Sequence, residues 1–163
     1  MIAEPTVPML IVPIRLLSGV IEWIRRHACE TYPNECCGAL LGRGNEVVEA
    51  YGLENKTDEG PRRRFLIRPD DYRSAEHRAK LLSAELLGFY HSHPDHPAQP
   101  SQYDLEHAWP AFSYVIVSVE AGTSVDVRSW VLREDRSVFD EQTVEAYGSV
   151  SYTHLTLPTI CSV

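Results

Sequence analysis

Leu17, Val20, Ile21, Ile24 and Ala28 recur at i, i+3, i+4, i+7 and i+11, while Glu22, Arg25, Arg26 and His27 fall between them. That spacing predicts an amphipathic helix from about Leu16, ended by Pro33. The period then shortens. Residues 38–41 and 47–51 are short apolar runs joined by Gly42-Arg43-Gly44-Asn45, the pattern of a β-hairpin. Residues 52–63 are polar and punctuated by Gly and Pro. A loop of that length beside a site is a candidate for substrate contact. Phe65, Leu66 and Ile67 predict a third strand. Pro69, Asp70 and Asp71 open a second helix, with proline and acids suited to its positive end. Tyr72, Ala75, Ala79 and Leu82 form its buried stripe. Residues 86–91 read as a strand, and a short helix runs from Ser101 to about Trp109. The apolar run 113–120 is a central strand, and 125–132 and 137–140 complete a meander. This order predicts an α+β fold: a mixed or mostly antiparallel sheet with two main helices.

The two ends lack such patterning. Residues 1–12 carry Pro5 and Pro8 and read as a loose lead-in. Residues 149–163 contain no charged residue and no amphipathic pattern, and resemble a translated sequencing adapter. They are set aside, so His154 and Cys161 are not counted as ligands. A single domain over residues 1–148 is expected, long enough to bury a sizeable core.

Charge narrows the function. The formal net charge is −8, which argues against a general nucleic-acid binder. Arg62-Arg63-Arg64 reads as a solvated edge, or alternatively as a docking point for an acidic partner. No apolar run approaches the ~18 residues of a membrane span, and no secretory leader is evident, so a cytoplasmic protein is expected. Cys29, Cys36, Cys37 and Cys161 show no C-x-x-C spacing and read as reduced thiols, with a thiolate metal ligand the lesser alternative.

The chemistry concentrates in His91-Ser92-His93-Pro94, followed by Ser101 and Asp104. Two histidines one residue apart share a face of a strand. The loop holding Pro94, Pro97 and Pro100 can return Asp104 to them. Two imidazoles and a carboxylate make a three-ligand zinc set with a fourth position open for water, the pattern of catalytic rather than structural zinc. Glu35, just ahead of an apolar strand, is the candidate general base. Ser101 with Asp104 also fits a helix capping box, although one aspartate serving both cap and metal is not expected. His96 reads as a rim residue, Tyr103 and Trp109 as packing, and His77 and His107 as helix-surface residues.

Glu35 with Cys36-Cys37-Gly38, His91-x-His93, ten intervening residues, Asp104, and Ser101 three before it together resemble the signature of the JAMM (MPN-plus) metallopeptidases. The likeness covers roughly residues 10–145 and is closest to compact bacterial members. It implies a curved sheet between helices, of cytidine-deaminase-like architecture. It also implies one catalytic zinc on His91, His93 and Asp104, with Glu35 as base and Ser101 as oxyanion donor. As substrate it implies the amide after the C-terminal Gly-Gly of a small ubiquitin-like sulfur-carrier protein, for example a carrier–cysteine conjugate in cysteine biosynthesis. Two alternatives stand beside it: an isopeptidase freeing a ubiquitin-like modifier from lysine, and a non-catalytic MPN interaction module. Oligomeric state is left open, a homodimer included.

Overall fold

The structure, a computed structural model, describes residues 10–54 and 66–148. The lead-in before Leu10, most of the 52–63 loop, the Arg62-Arg63-Arg64 run, Phe65, and the 149–163 tail lie outside the described residues. The elements are β1 (Ile14–Leu17), α1 (Ser18–Thr31), β2 (Cys37–Arg43), β3 (Glu46–Leu53), α2 (Pro69–Leu81), β4 (Glu85–Pro94), α3 (Gln102–His107), β5 (Ser113–Glu120), β6 (Thr123–Leu132), β7 (Phe139–Gln142) and β8 (Val144–Tyr147). They confirm the α+β expectation. All eight strands join one sheet in the order β7-β6-β5-β4-β2-β3-β1-β8. The sheet is mixed: β2 pairs antiparallel with β3 and β4, whereas β4–β5, β1–β3 and β1–β8 are parallel. Register shifts leave one extra residue in each of β3, β4 and β6, bulges that bend the strands and curve the sheet.

Both faces are covered. On one, Val20, Ile24 and Ala28 of α1 pack over Leu40, Tyr90, Val115 and Val117. On the other, Ala75 and Ala79 of α2 and Ala108 after α3 pack over Ala39, Leu41, Phe89 and Tyr114. A strand covered on both faces reads as a continuous apolar run rather than an alternating one. This is why residues 37–42 of β2 and 114–119 of β5 are buried without a break. Where β4 meets β5, Gly88 pairs with Ser113, and a Cβ on Gly88 would lie 1.9 Å from the Ser113 carbonyl oxygen. Only glycine allows that approach.

Three expectations need correction. The stretch expected to enter α1 directly begins as a strand: Ile14 and Leu16 alternate inward, and β1 draws its partners from β3 and β8. Local periodicity over Leu16 and Leu17 cannot see those partners. Leu66 and Ile67 adopt no regular structure; Ile67 contributes its side chain to the α2-face core without joining the sheet. The final strand, expected at 137–140, lies at Phe139–Gln142 and is followed by β8, which the sequence pattern did not suggest. β7 and β8, four residues each, are the outermost strands among the described residues. Cys36 and Cys37 are buried free thiols as expected, and Cys161 lies outside the described residues.

Candidate active site

Strand alternation places His91 and His93 on the α2 face of β4, in line with Phe89. The parallel ladder to β5 runs as far as Pro94↔Val119, so both rings project from a paired strand, and His91 is held on its other side by Cys37 of β2 as well. Beyond Pro94 the chain turns through residues 95–101 into α3, and the first turn of α3 carries Asp104.

These groups converge. The two Nε2 atoms stand 3.0 Å apart, and each lies 3.3 Å from Asp104 Oδ2. A tetrahedral metal with bonds of about 2.0–2.1 Å would have ligand–ligand edges of about 3.3–3.4 Å, so these separations suit one shared ion. The donors are also in the right chemical state. Burial pushes the His91 pKa down by more than the Asp104 carboxylate raises it, which keeps the imidazole neutral. Burial would raise Asp104, but His91, His93 and the Ser101 backbone outweigh it and hold the carboxyl far below the usual carboxylate range. His93 Nδ1 lies 2.8 Å from the Pro97 carbonyl, which can only accept. Nδ1 therefore carries the hydrogen and Nε2 offers a lone pair, the arrangement that orients a ligating imidazole. The buried trio fits a divalent metal.

The loop joining the histidines to Asp104 is fastened at several points. Ser118 Oγ donates to the His96 carbonyl at 2.6 Å, and Trp130 Nε1 donates to that of Ala98 at 3.0 Å. Asp95 takes a positive φ of 57° and accepts from Tyr32 Oη at 2.7 Å and from the Ala121 amide at 2.9 Å. The wall of the site is thus built before any ligand arrives.

Ser101 caps α3. Its Oγ accepts from the Asp104 amide at 3.1 Å, while its own amide donates to Asp104 Oδ2 at 2.8 Å. The cap and the histidine cluster therefore use the same carboxylate oxygen, contrary to the expectation that one aspartate would not serve both. Two lone pairs on Oδ2 make this consistent.

Glu35 is 6% exposed and lies just before β2, whose Cys37 pairs with His91. It lines a cleft of about 420 Å³ with His93, His96, Ser101, Gln102 and Tyr103. All five expected site residues thus meet in one region, with His96 at the exposed rim. Tyr103, read from sequence as packing, faces the cleft and stacks on His107 at 4.0 Å between ring centroids. Two contributors were missed. Pro97 acts through its backbone carbonyl and leaves no sequence signal. Ser92 does leave one: a polar residue at an inward position of a doubly covered strand.

Comparison with known proteins agrees with this geometry. The family model for prokaryotic homologs of the JAB domain matches residues 17–133. A desampylase of Haloferax volcanii is 32% identical over 104 residues, covering 62% of this chain and 74% of the relative. A "Probable TtuB-protein conjugate cleaving protease" of Thermus thermophilus is 32% identical over 120 residues, covering 74% of this chain and 76% of the relative. The solution structure of a Desulfitobacterium hafniense protein superposes with a TM-score of 0.72 at 32% identity, over 86% of this chain and 97% of that one. The chain belongs to the family of prokaryotic JAB-domain homologues and is an enzyme of its JAMM metallopeptidase type.

Proposed function

We propose that the protein is a zinc-dependent peptidase that hydrolyses the amide after the C-terminal Gly-Gly of a small ubiquitin-like sulfur-carrier protein, releasing for example cysteine from a carrier–cysteine conjugate. The observation that carries this reading is the convergence of His91, His93 and Asp104 beside a cleft walled by Glu35 and Ser101. Two imidazole nitrogens and one carboxylate oxygen leave a tetrahedral ion one position short, the composition of a hydrolytic zinc site. Zinc there would supply Lewis acidity and bring the pKa of a water toward ~7.

The remaining steps belong to the chain's own groups. Glu35 takes the proton of the attacking water and passes it to the departing amine, acting first as general base and then as general acid. The Ser101 hydroxyl donates a hydrogen bond to the carbonyl oxygen as it gains charge. The stitched 95–100 loop holds both partners in place, so little reorganisation is needed at the moment of reaction.

The names of the two relatives support a protein conjugate as substrate, since one is named for cleaving conjugates of a protein and the other as a desampylase. The same names favour a second reading, release of a ubiquitin-like modifier from lysine. A non-catalytic module is disfavoured because all five signature positions are filled and brought together.

The test incubates zinc-loaded protein with a carrier–cysteine conjugate and, separately, with a carrier–lysine isopeptide, read by mass spectrometry. Cleavage after Gly-Gly of the first supports the main reading, and cleavage of the second alone supports the other. Both conjugates intact would refute the hydrolase reading. Glu35→Gln should keep about one zinc per chain and lose at least the 10²–10⁴ in rate that a positioned proton carrier supplies.

A further inference from the structure

Ser92 stands between the two histidines, yet alternation turns it to the opposite face of β4. It is 0% exposed, and its neighbour on β5 is Val117 of the apolar α1-face core. Packing alone would favour alanine or valine there. The hydroxyl instead accepts a hydrogen bond from the Cys36 amide at 2.8 Å. The Ser92 amide in turn donates to the Cys36 carbonyl at 3.1 Å. These reciprocal bonds fall one residue beyond the terminal ladder pair, Cys37↔His91, just before β2 begins as a regular strand. The residue clasped is the one directly after Glu35.

We propose that Ser92 is a positioning residue for the general base: its side chain pins Cys36, and through it Glu35, at a fixed distance from the strand that carries His91 and His93. The two halves of the site come from separate parts of the chain, Glu35 from the approach to β2 and the ligand trio from residues 91–104. The Ser92–Cys36 clasp joins the two parts one residue from Glu35 and one residue from each histidine. Without the hydroxyl, the Cys36 amide loses a buried acceptor and only the backbone bond remains. A base displaced by an ångström costs on the order of 10²-fold in rate.

The kinetic arm rests on the function proposed above. Ser92→Ala should bind zinc at the wild-type ratio and keep KM for the conjugate within about twofold, while kcat falls about 10- to 100-fold. Ser92→Thr, which retains the hydroxyl, should recover most of that loss. Val115→Ala, a core truncation on the same face away from the clasp, controls for general destabilisation and should leave kcat near wild type. A second arm needs neither zinc nor substrate: in the metal-free protein, hydrogen exchange at the Cys36 amide should accelerate in Ser92→Ala and stay slow in Ser92→Thr. Wild-type kcat in Ser92→Ala, or an equal fall in Val115→Ala, would overturn the proposal. If wild-type protein leaves the conjugates intact, the function reading falls, and the clasp is judged on exchange alone: unchanged Cys36 exchange refutes it and faster exchange supports it.

Discussion

Replacing Ser101 with alanine separates two roles that the structure gives one side chain. Ser101 Oγ accepts the Asp104 amide at 3.1 Å, which leaves its hydroxyl hydrogen available to a substrate oxygen. The backbone bond from the Ser101 amide to Asp104 Oδ2, 2.8 Å, does not involve the side chain and survives the substitution. Loss of the cap costs about 1 kcal/mol. In a protein of this size that lowers Tm by about 2–4 °C. With a typical reserve of about 5–15 kcal/mol, such a loss leaves the folded fraction near unity and cannot by itself slow turnover noticeably. Loss of one donor to the developing oxyanion costs about 10²–10³ in kcat. The two effects are therefore distinguishable by size. Ser101→Ala should show a melt a few degrees lower, full zinc content and kcat reduced by about 10²–10³, while Ser101→Thr keeps cap and donor. A zinc-replete alanine variant within about fivefold of wild-type kcat would refute the oxyanion role. Zinc loss in step with activity would instead assign Ser101 to the placement of Asp104.

Three further outcomes follow from the geometry. His91→Ala and Asp104→Ala should each lose bound zinc as well as activity, measured as metal per chain after dialysis; retained stoichiometry would break the ligand assignment. Gly88→Ala would drive a Cβ toward the Ser113 carbonyl and should destabilise by at least the ~1–3 kcal/mol typical of overpacking, seen in a denaturant melt. In metal-free protein the folded His91 pKa lies below the unfolded value of about 6.5, so acid protonates the unfolded chain first. Stability should be full above that value and fall as pH drops below it. The decline should continue below about 4, where the unfolded Asp104, but not the folded one, takes up a proton. A Tm that rises from pH 7 to pH 5.5 would contradict this sign.

The meeting of His91, His93 and Asp104 was legible because strand alternation and loop length are local properties. His91-x-His93 must share a face, and ten residues suffice to return Asp104. The long helices were legible for the same reason, and α2 begins at Pro69 as its proline and acids indicate. The strands β1 and β8 escaped notice because each is four residues long and the two pair with one another across more than a hundred residues of sequence. Leu66 and Ile67 show the converse. An apolar residue such as Ile67 can serve a core from an irregular segment. The double use of Asp104 Oδ2 was invisible for a different reason: sequence counts side chains, whereas the site is organised by individual lone pairs.

The margins of the sheet carry a consequence for solubility. Its outermost strands among the described residues are also among its shortest, and they bear Asp140 and Glu141 on one side and Glu145 on the other. Short borders studded with carboxylates repel a second sheet that approaches rim to rim. Replacing those acids with neutral residues should therefore let molecules stack through their borders, seen as association at concentrations where the wild-type protein stays dispersed.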